Sequence, residues 1–346
     1  MKIFKTSLLL SSSAIFTLLL IEVFLSNFFP QSRSDSWRVQ NERGVYYNAN
    51  NITARHEYLG INEKLSVKYK FGKYHNRIYS DFEISNNKNN ILVLGDSIIF
   101  GWLLKDEDTF IYKLQKDFRD LNFINAAAGG FSDSDSSIYI EEYCKILKPK
   151  KILFFLEIDR IFYNTLYSLD ENNNLVKGKV KINEFKKKLN NSRIYYYINK
   201  THSFQIIKKI YFQLSSQTFI NHPVKGKKNI TYNSKNEISK KIILSKQIYN
   251  KVVNDVIKCN SEIIFIHLGW KSNEMLSNTK KSILEEIPAI VNSSNNSYFI
   301  SLQEELENIR LKKKIYFLEE GHPNKKANEF VYKKLKSRLN EFTYFN

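Results

Sequence analysis

The chain has 346 residues, 42% of them hydrophobic and 14% aromatic, which is enough apolar material for one sizeable core and excludes a chain disordered throughout. Its net charge of +18 is mostly lysine, spread from Lys64 to Lys336 without a dominant block and accompanied by heavy use of Asn, Ile, Phe and Tyr. That mixture is the mark of an A·T-rich coding sequence; a phosphate-binding face needs clustered cations, so nucleic acid is not an expected partner.

The first element is an apolar run from Ser7 to Phe29, preceded by Lys2 and Lys5 and closed by Pro30. Its length suits one bilayer crossing, and no small-x-small cleavage site follows it, so residues 1–30 read as an uncleaved membrane anchor. Lys2 and Lys5 favour a cytoplasmic N-terminus and an extracytoplasmic domain, against the opposing weight of Arg33 and Arg38. Glu22 inside the run is costly unless it lies near the interface or is protonated. Residues 31–90 read as a linker and N-terminal extension, polar and aromatic without a clear period.

From Ile91 the pattern is regular. Ile91 to Leu94 is a short buried strand, and Asp108 opens a helix with Phe110, Ile111, Leu114 and Phe118 on one face. A strand at Phe123 to Asn125, a helix from Ser134 to Lys148 and a strand at Ile152 to Leu156 follow. Strands alternating with helices predict a parallel sheet covered on both faces. Residues 167–237 interrupt the alternation as a polar and aromatic insertion, with a helix around Phe204 to Leu214. Beyond it come a helix carrying Ile242, Ile248, Val252 and Val256, a strand at Ile263 to Leu268, a helix at Lys280 to Val291, a strand at Tyr298 to Ile300, and a last helix from Asn324 to Leu339. The two cysteines, Cys144 and Cys259, form no C-x-x-C pair and stand beside no histidine. Neither a zinc site nor a disulfide is expected, and both read as buried free thiols.

The strand Ile91 to Leu94 runs into Gly95-Asp96-Ser97, with Gly101 four residues after the serine. Ligands of open parallel sheets bind beyond the carboxyl ends of strands, so Ser97 stands where chemistry is expected. A serine is a weak nucleophile unless a base takes its proton. Of six histidines, His56 and His75 precede the regular region, His202 and His222 lie in the insertion, and His267 sits inside a strand. His322 differs, because Glu319-Glu320-Gly321-His322-Pro323-Asn324 is a turn before the last helix with carboxylates two and three residues upstream. A carboxylate there can hold the imidazole with Nε2 toward Ser97.

These segments together resemble the SGNH hydrolases, or GDSL esterases, over roughly Ile91 to Leu339. Gly95-Asp96-Ser97-Ile98-Ile99-Phe100-Gly101 is similar to the family's first block, Asn125-Ala126-Ala127-Ala128-Gly129-Gly130-Phe131-Ser132 to its second, and Glu320-Gly321-His322-Pro323-Asn324 to its last. The resemblance implies a three-layer α/β/α, flavodoxin-like SGNH domain over residues 91–342, with Ser97 as nucleophile, His322 as base and the amides of Ser97 and Gly130 as oxyanion hole. The family's acid is usually aspartate; here spacing favours Glu319 and the acid-Gly-His-Pro form favours Glu320. The third block departs from the pattern, since Ile158-Asp159 stands where asparagine and aspartate are usual. Isoleucine has no donor, which leaves Asn164 as a substitute, or a slowed or catalytically degenerate protein. The implied activity is hydrolysis of a carboxylic ester, or transfer of its acyl group, on an envelope glycan or lipid-like substrate, without metal or organic cofactor.

Overall fold

The structure, a computed structural model, describes residues 2–82, 85, 88–158, 164–178, 188–189, 192–221, 235–269 and 277–342. The apolar N-terminal run is one helix, α1 (Lys2–Phe28). Its Phe4–Phe28 stretch is long and apolar enough to cross a membrane, and no residue of its most apolar window is buried. Residues 31–90 carry more structure than a linker. Strands β1 (Arg33–Ser34), β4 (Thr53–Leu59), β5 (Lys64–Phe71) and β6 (Arg77–Ile78) join the central sheet, while β2 (Arg38–Gln40) and β3 (Tyr46–Asn48) form a separate ribbon. The physical signal is the period of two in β5, where Val67, Tyr69 and Phe71 are buried and Lys64, Lys68 and Lys70 exposed.

Strand β7 (Asn89–Leu94) leads into a single-turn helix, α2 (Ser97–Phe100), then α3 (Phe110–Asp117) and β8 (Leu121–Asn125). Helix α4 (Asp133–Leu147) and β9 (Lys151–Phe155) complete the first half of the regular region. A hairpin of β10 (Tyr167–Leu169) and β11 (Leu175–Lys177) opens the insertion, which continues as α5 (Arg193–Ile198) and α6 (His202–Asn221). Part of the expected insertion lies outside the described residues, His222 included. The second half runs through α7 (Lys235–Ile257), β12 (Glu262–His267), α8 (Ser277–Asn292) and β13 (Ser297–Ser301), and ends in α9 (Gln303–Leu311), α10 (Lys313–Tyr316) and α11 (Lys325–Leu339).

The nine-stranded sheet has the order β1-β4-β5-β6-β8-β7-β9-β12-β13. From β8 to β13 every pairing is parallel, and in chain order these five strands run 2-1-3-4-5, the doubly wound flavodoxin-like arrangement. The sheet as a whole is mixed, because β6 pairs antiparallel with β8 through Arg77 opposite Asn125 and β5, β4 and β1 follow antiparallel. Successive side chains of a strand point to opposite faces, so Ile91 and Val93 of β7 enter the core with α3, α9 and α11, whereas Leu92 and Leu94 enter the core with α4, α7 and α8. All four side chains are fully buried, which is why the strand reads as a continuous apolar run.

One expectation fails outright. Cys144 and Cys259 are not free thiols; they form a disulfide with Cα atoms 6.0 Å apart. Helices α4 and α7 pack side by side on one face of the sheet, which brings the end of one beside the segment that follows the other. No spacing rule in the sequence carries that proximity.

Two buried charges tie the layers together. The Arg77 guanidinium is fully buried and donates to the carbonyls of Phe100 (3.0 Å), Gly101 (2.9 Å) and Leu104 (2.8 Å) and to Asp106 Oδ1 (2.8 Å). It lies over the rings of Tyr69, Tyr79 and Phe100. It thus closes the turn that follows α2. Asp133, wholly buried at the start of α4, accepts from the Glu157 amide (2.9 Å) and the Tyr249 hydroxyl (2.7 Å). Burial outweighs those hydrogen bonds and pushes its carboxyl up to about 6.

Arg77→Met leaves Asp106 and three carbonyls without their donor and is expected to cost about 3–5 kcal/mol of unfolding free energy, read from a denaturant titration. The raised carboxyl of Asp133 makes the folded state hold its proton after the unfolded chain has lost it, so this group's contribution is most favourable at acid pH and declines as pH rises from about 4 to about 6. Asp133→Asn cannot ionise. Its stability relative to the unaltered protein is expected to improve by about 3 kcal/mol across that window, measured by urea unfolding at several pH values.

Candidate active site

Strand β7 is the first in chain order of the five parallel strands and lies between β8 and β9, at the point where the winding direction changes. Crevices of doubly wound sheets open there, beyond the strand ends. At the end of β7 the chain turns at Gly95, where a Cβ would come 2.4 Å from Ile99 Cγ1, so only glycine lets strand and helix approach this closely. Asp96 caps α2, its Oδ1 accepting from the Ile98 amide at 2.8 Å. Gly101 ends the turn with φ 81°, against Thr109 and the Arg77 guanidinium. Ser97 is therefore the first residue of a short helix fixed at both ends, with its side chain at the surface of the crevice.

The turn before α11 brings the second component. Leu318 donates to the His322 carbonyl (2.8 Å), Gly321 to the Leu318 carbonyl (2.9 Å), and Phe317 forms a bridge with Pro323. Asn324 caps α11 by accepting from the amides of Lys326 and Ala327, and its own amide group donates to the Ile315 carbonyl. In this frame His322 Nε2 lies 2.8 Å from Ser97 Oγ, and His322 Nδ1 lies 2.7 Å and 2.9 Å from the two Glu320 oxygens. An ionised carboxylate only accepts, so Nδ1 carries the proton and Nε2 is left to accept from the serine hydroxyl.

The two glutamates separate. Glu320 faces the imidazole, whereas Glu319 is exposed and accepts from the amide (2.8 Å) and side chain (2.5 Å) of Asn62, in the loop between β4 and β5. Those Asn62 hydrogen bonds hold the Glu319 carboxyl below its usual range. The Glu319 amide in turn donates to Glu63 (2.8 Å), so the tail loop leans on the β4–β5 hairpin.

Beyond β8, Asn125 is buried and donates to Tyr79 Oη (2.9 Å) and the Ile99 carbonyl (3.1 Å), which ties the second block to α2. Gly130 follows with φ 84°. Among the described residues, neither the Ser97 nor the Gly130 amide donates a hydrogen bond within the protein. Ile158 is 2% exposed and packs in the core against α4 and α7, offering no donor. Asn164 is also buried; its Oδ1 accepts from the Ser134 amide (3.1 Å) at the start of α4, and its Nδ2 has no partner among the described residues. Asp159 lies outside the described residues.

Sequence reasoning missed an aromatic neighbour of the imidazole and the histidine packed behind it. Trp102 stacks on His322 with ring centroids 5.7 Å apart, and a Cβ at Gly129 would come 3.0 Å from its Cζ3. His56 of β4 meets Trp102 edge-on at 4.8 Å, and burial lowers its pKa to about 4, which keeps it neutral. Trp102 follows Gly101 directly and was within reach of a motif reading; His56 carries no local signal, since only the pairing of β4 and β5 beside the parallel strands puts it there. His75 is held by the Asn48 carbonyl, and His202 sits at the start of α6, both away from Ser97 contacts. Among the described residues no group of three or more His, Cys, Asp or Glu side chains is placed to hold a metal ion.

No family model matches the chain, and no curated protein matches it by sequence. Several solved structures are similar to it. TesA is 10% identical, with a TM-score of 0.44 over 73% of this chain and 99% of that one. The psychrotrophic esterase EstA from Pseudoalteromonas sp. is 14% identical, with a TM-score of 0.42 over 73% and 100%. A member of the lipolytic G-D-S-L family from Veillonella parvula is 13% identical, with a TM-score of 0.41 over 73% and 99%. Matches this loose carry no functional argument.

Proposed function

We propose that the chain is a serine esterase of the SGNH type, with residues 91–342 as its catalytic unit, residues 31–90 as an extension built onto the same sheet, and residues 1–30 as a membrane anchor. The observation that carries this reading is the unbroken hydrogen-bonded line from Ser97 Oγ through the His322 ring to Glu320. Ser97 Oγ attacks the carbonyl carbon of an ester while its proton passes to His322 Nε2. Glu320 keeps the ring oriented and stabilises the imidazolium. The tetrahedral oxyanion is met by the amides of Ser97 and Gly130, two donors with no competing partner among the described residues. Collapse expels the alcohol, which leaves with the proton from Nε2, and water then cleaves the acyl-serine with His322 again taking the proton.

With a glycan hydroxyl in place of water, the same intermediate would yield O-acyl transfer. The expected substrate is an acyl ester on an envelope glycan or lipid, and the expected placement is a single-pass membrane protein with its catalytic domain outside the cytoplasm. The disulfide between Cys144 and Cys259 supports that placement, because such bonds persist in oxidising compartments.

A fluorophosphonate probe is expected to label the full-length protein at Ser97 and not to label Ser97→Ala; peptide mapping checks the site, and labelling elsewhere refutes the nucleophile. Glu320→Gln is expected to lower the cleavage rate of a short-chain aryl ester by about 10²–10⁴-fold, while Glu319→Gln leaves it near the unaltered rate. The reverse order would assign the acid to Glu319.

A further inference from the structure

Glu22 is the one acidic residue of the Phe4–Phe28 stretch. Its carboxylate accepts from the backbone amides of His202 (2.6 Å) and Ser203 (3.0 Å) and from the Ser203 hydroxyl (2.8 Å). These are the first two residues of α6, whose leading amides have no partner within the helix. Glu22 thus caps α6 from another helix, and α1 and α6 pack together. Since a helix rises 1.5 Å per residue, this joint lies roughly 9 Å before Phe28, the last residue of the span. The N-terminus of α6 is consequently pinned at the level of the membrane surface rather than out in solvent.

The outward face of α6 matches that location. Ile207, Ile210, Tyr211 and Leu214 recur at intervals of three, one and three, the stripe of a single helical face, and are 49–65% exposed. Ile194 and Tyr197 of α5 are also exposed. Lys208 lies to one side of the stripe and Lys209 on the face away from it, and Lys209 Nζ donates to Gln31 Oε1 (2.7 Å) just past the apolar run. An apolar stripe with lysines off its face suits a helix lying in the headgroup layer of an anionic bilayer.

We propose that α5 and α6 form a second membrane contact, lying in the bilayer interface beside α1 with Ile207, Ile210, Tyr211 and Leu214 against lipid. The proposal rests on α1 being a membrane span. The insertion is strapped to the catalytic domain as well: Asn199 donates to the Ser34 carbonyl (3.0 Å), Arg33 to the Lys200 carbonyl (3.2 Å), and Lys200 pairs with Asp35 (3.1 Å). Ser32 Oγ accepts from the Leu59 amide (2.8 Å), and three residues further Asn62 binds Glu319 beside the catalytic turn. An interfacial α6 therefore fixes how the domain is oriented on the membrane.

The test places single nitroxide labels, one at a time, on the full-length chain in vesicles of phosphatidylethanolamine and phosphatidylglycerol, at I207C, I210C, Y211C, L214C, L18C in α1 and I61C in the exposed β4–β5 loop. Collision with oxygen is expected to exceed collision with a water-soluble nickel chelate at the four α6 sites and at Leu18, with the reverse at Ile61. Nickel collision at the α6 sites equal to that at Ile61, with Leu18 still in lipid, overturns the proposal and leaves the anchor standing. Protection of the α6 sites from both reagents also overturns it, since a protein partner then covers the stripe. A water-exposed Leu18 removes the anchor and the proposal together. None of these outcomes bears on the esterase reading, which the Ser97 probe tests separately.

Discussion

The arrangement depends on one contact: an imidazole and a hydroxyl 225 positions apart in the chain are held at 2.8 Å. Neither partner is placed by its own neighbours alone. Ser97 is fixed by the end of β7, where Gly95, the Asp96 cap and the Arg77 clamp leave the short helix α2 no freedom to drift. His322 is fixed by α11, which is itself docked on α3, the helix that follows Ser97. Asn328 Oδ1 accepts from the Phe110 amide, Lys113 pairs with Glu329, and Tyr332 bonds Asp117. Helix α3 thus serves as a gauge between the two halves of the site, and the long loop in sequence is short in space.

The electrostatics of the site follow from this frame. Trp102 and the neutral His56 give the imidazole an aromatic flank without adding charge, so Glu320 is the charged group bonded to the ring. With Ile158 committed to the hydrophobic core, the proposed oxyanion donors are the backbone amides of Ser97 and Gly130, whose positions are set by the ends of β7 and β8 and not by any rotamer. Under the proposed function, the departure at Ile158 bears on the rate of the chemistry.

The antiparallel strands before β7 have a role beyond enlarging the sheet. Their loop at Asn62 supports the His322 turn through Glu319, and their first strand, β1, holds the insertion shortly after the end of α1. Glu22, an anomaly when the apolar run is taken alone, is satisfied by the exposed amides at the start of α6. Its carboxylate is compensated there by the amides it caps.

Local chemistry made several features legible in the residues themselves. The apolar run of α1, the buried strands of the parallel half, the glycine-flanked Ser97 and the Asn324-capped α11 each depend on neighbours within a few positions, where periodicity and capping act. The alternation of strands and helices likewise implied a sheet covered on both faces. Contacts between distant segments were a different matter. The choice of Glu320 over Glu319 turned on Asn62 in a remote hairpin; the disulfide turned on α4 lying beside α7; the placing of Arg77 and His56 turned on antiparallel strands pairing with β8. Such choices are made by packing across the sheet, where separation along the chain has no bearing on distance, and so only the tertiary structure decided them.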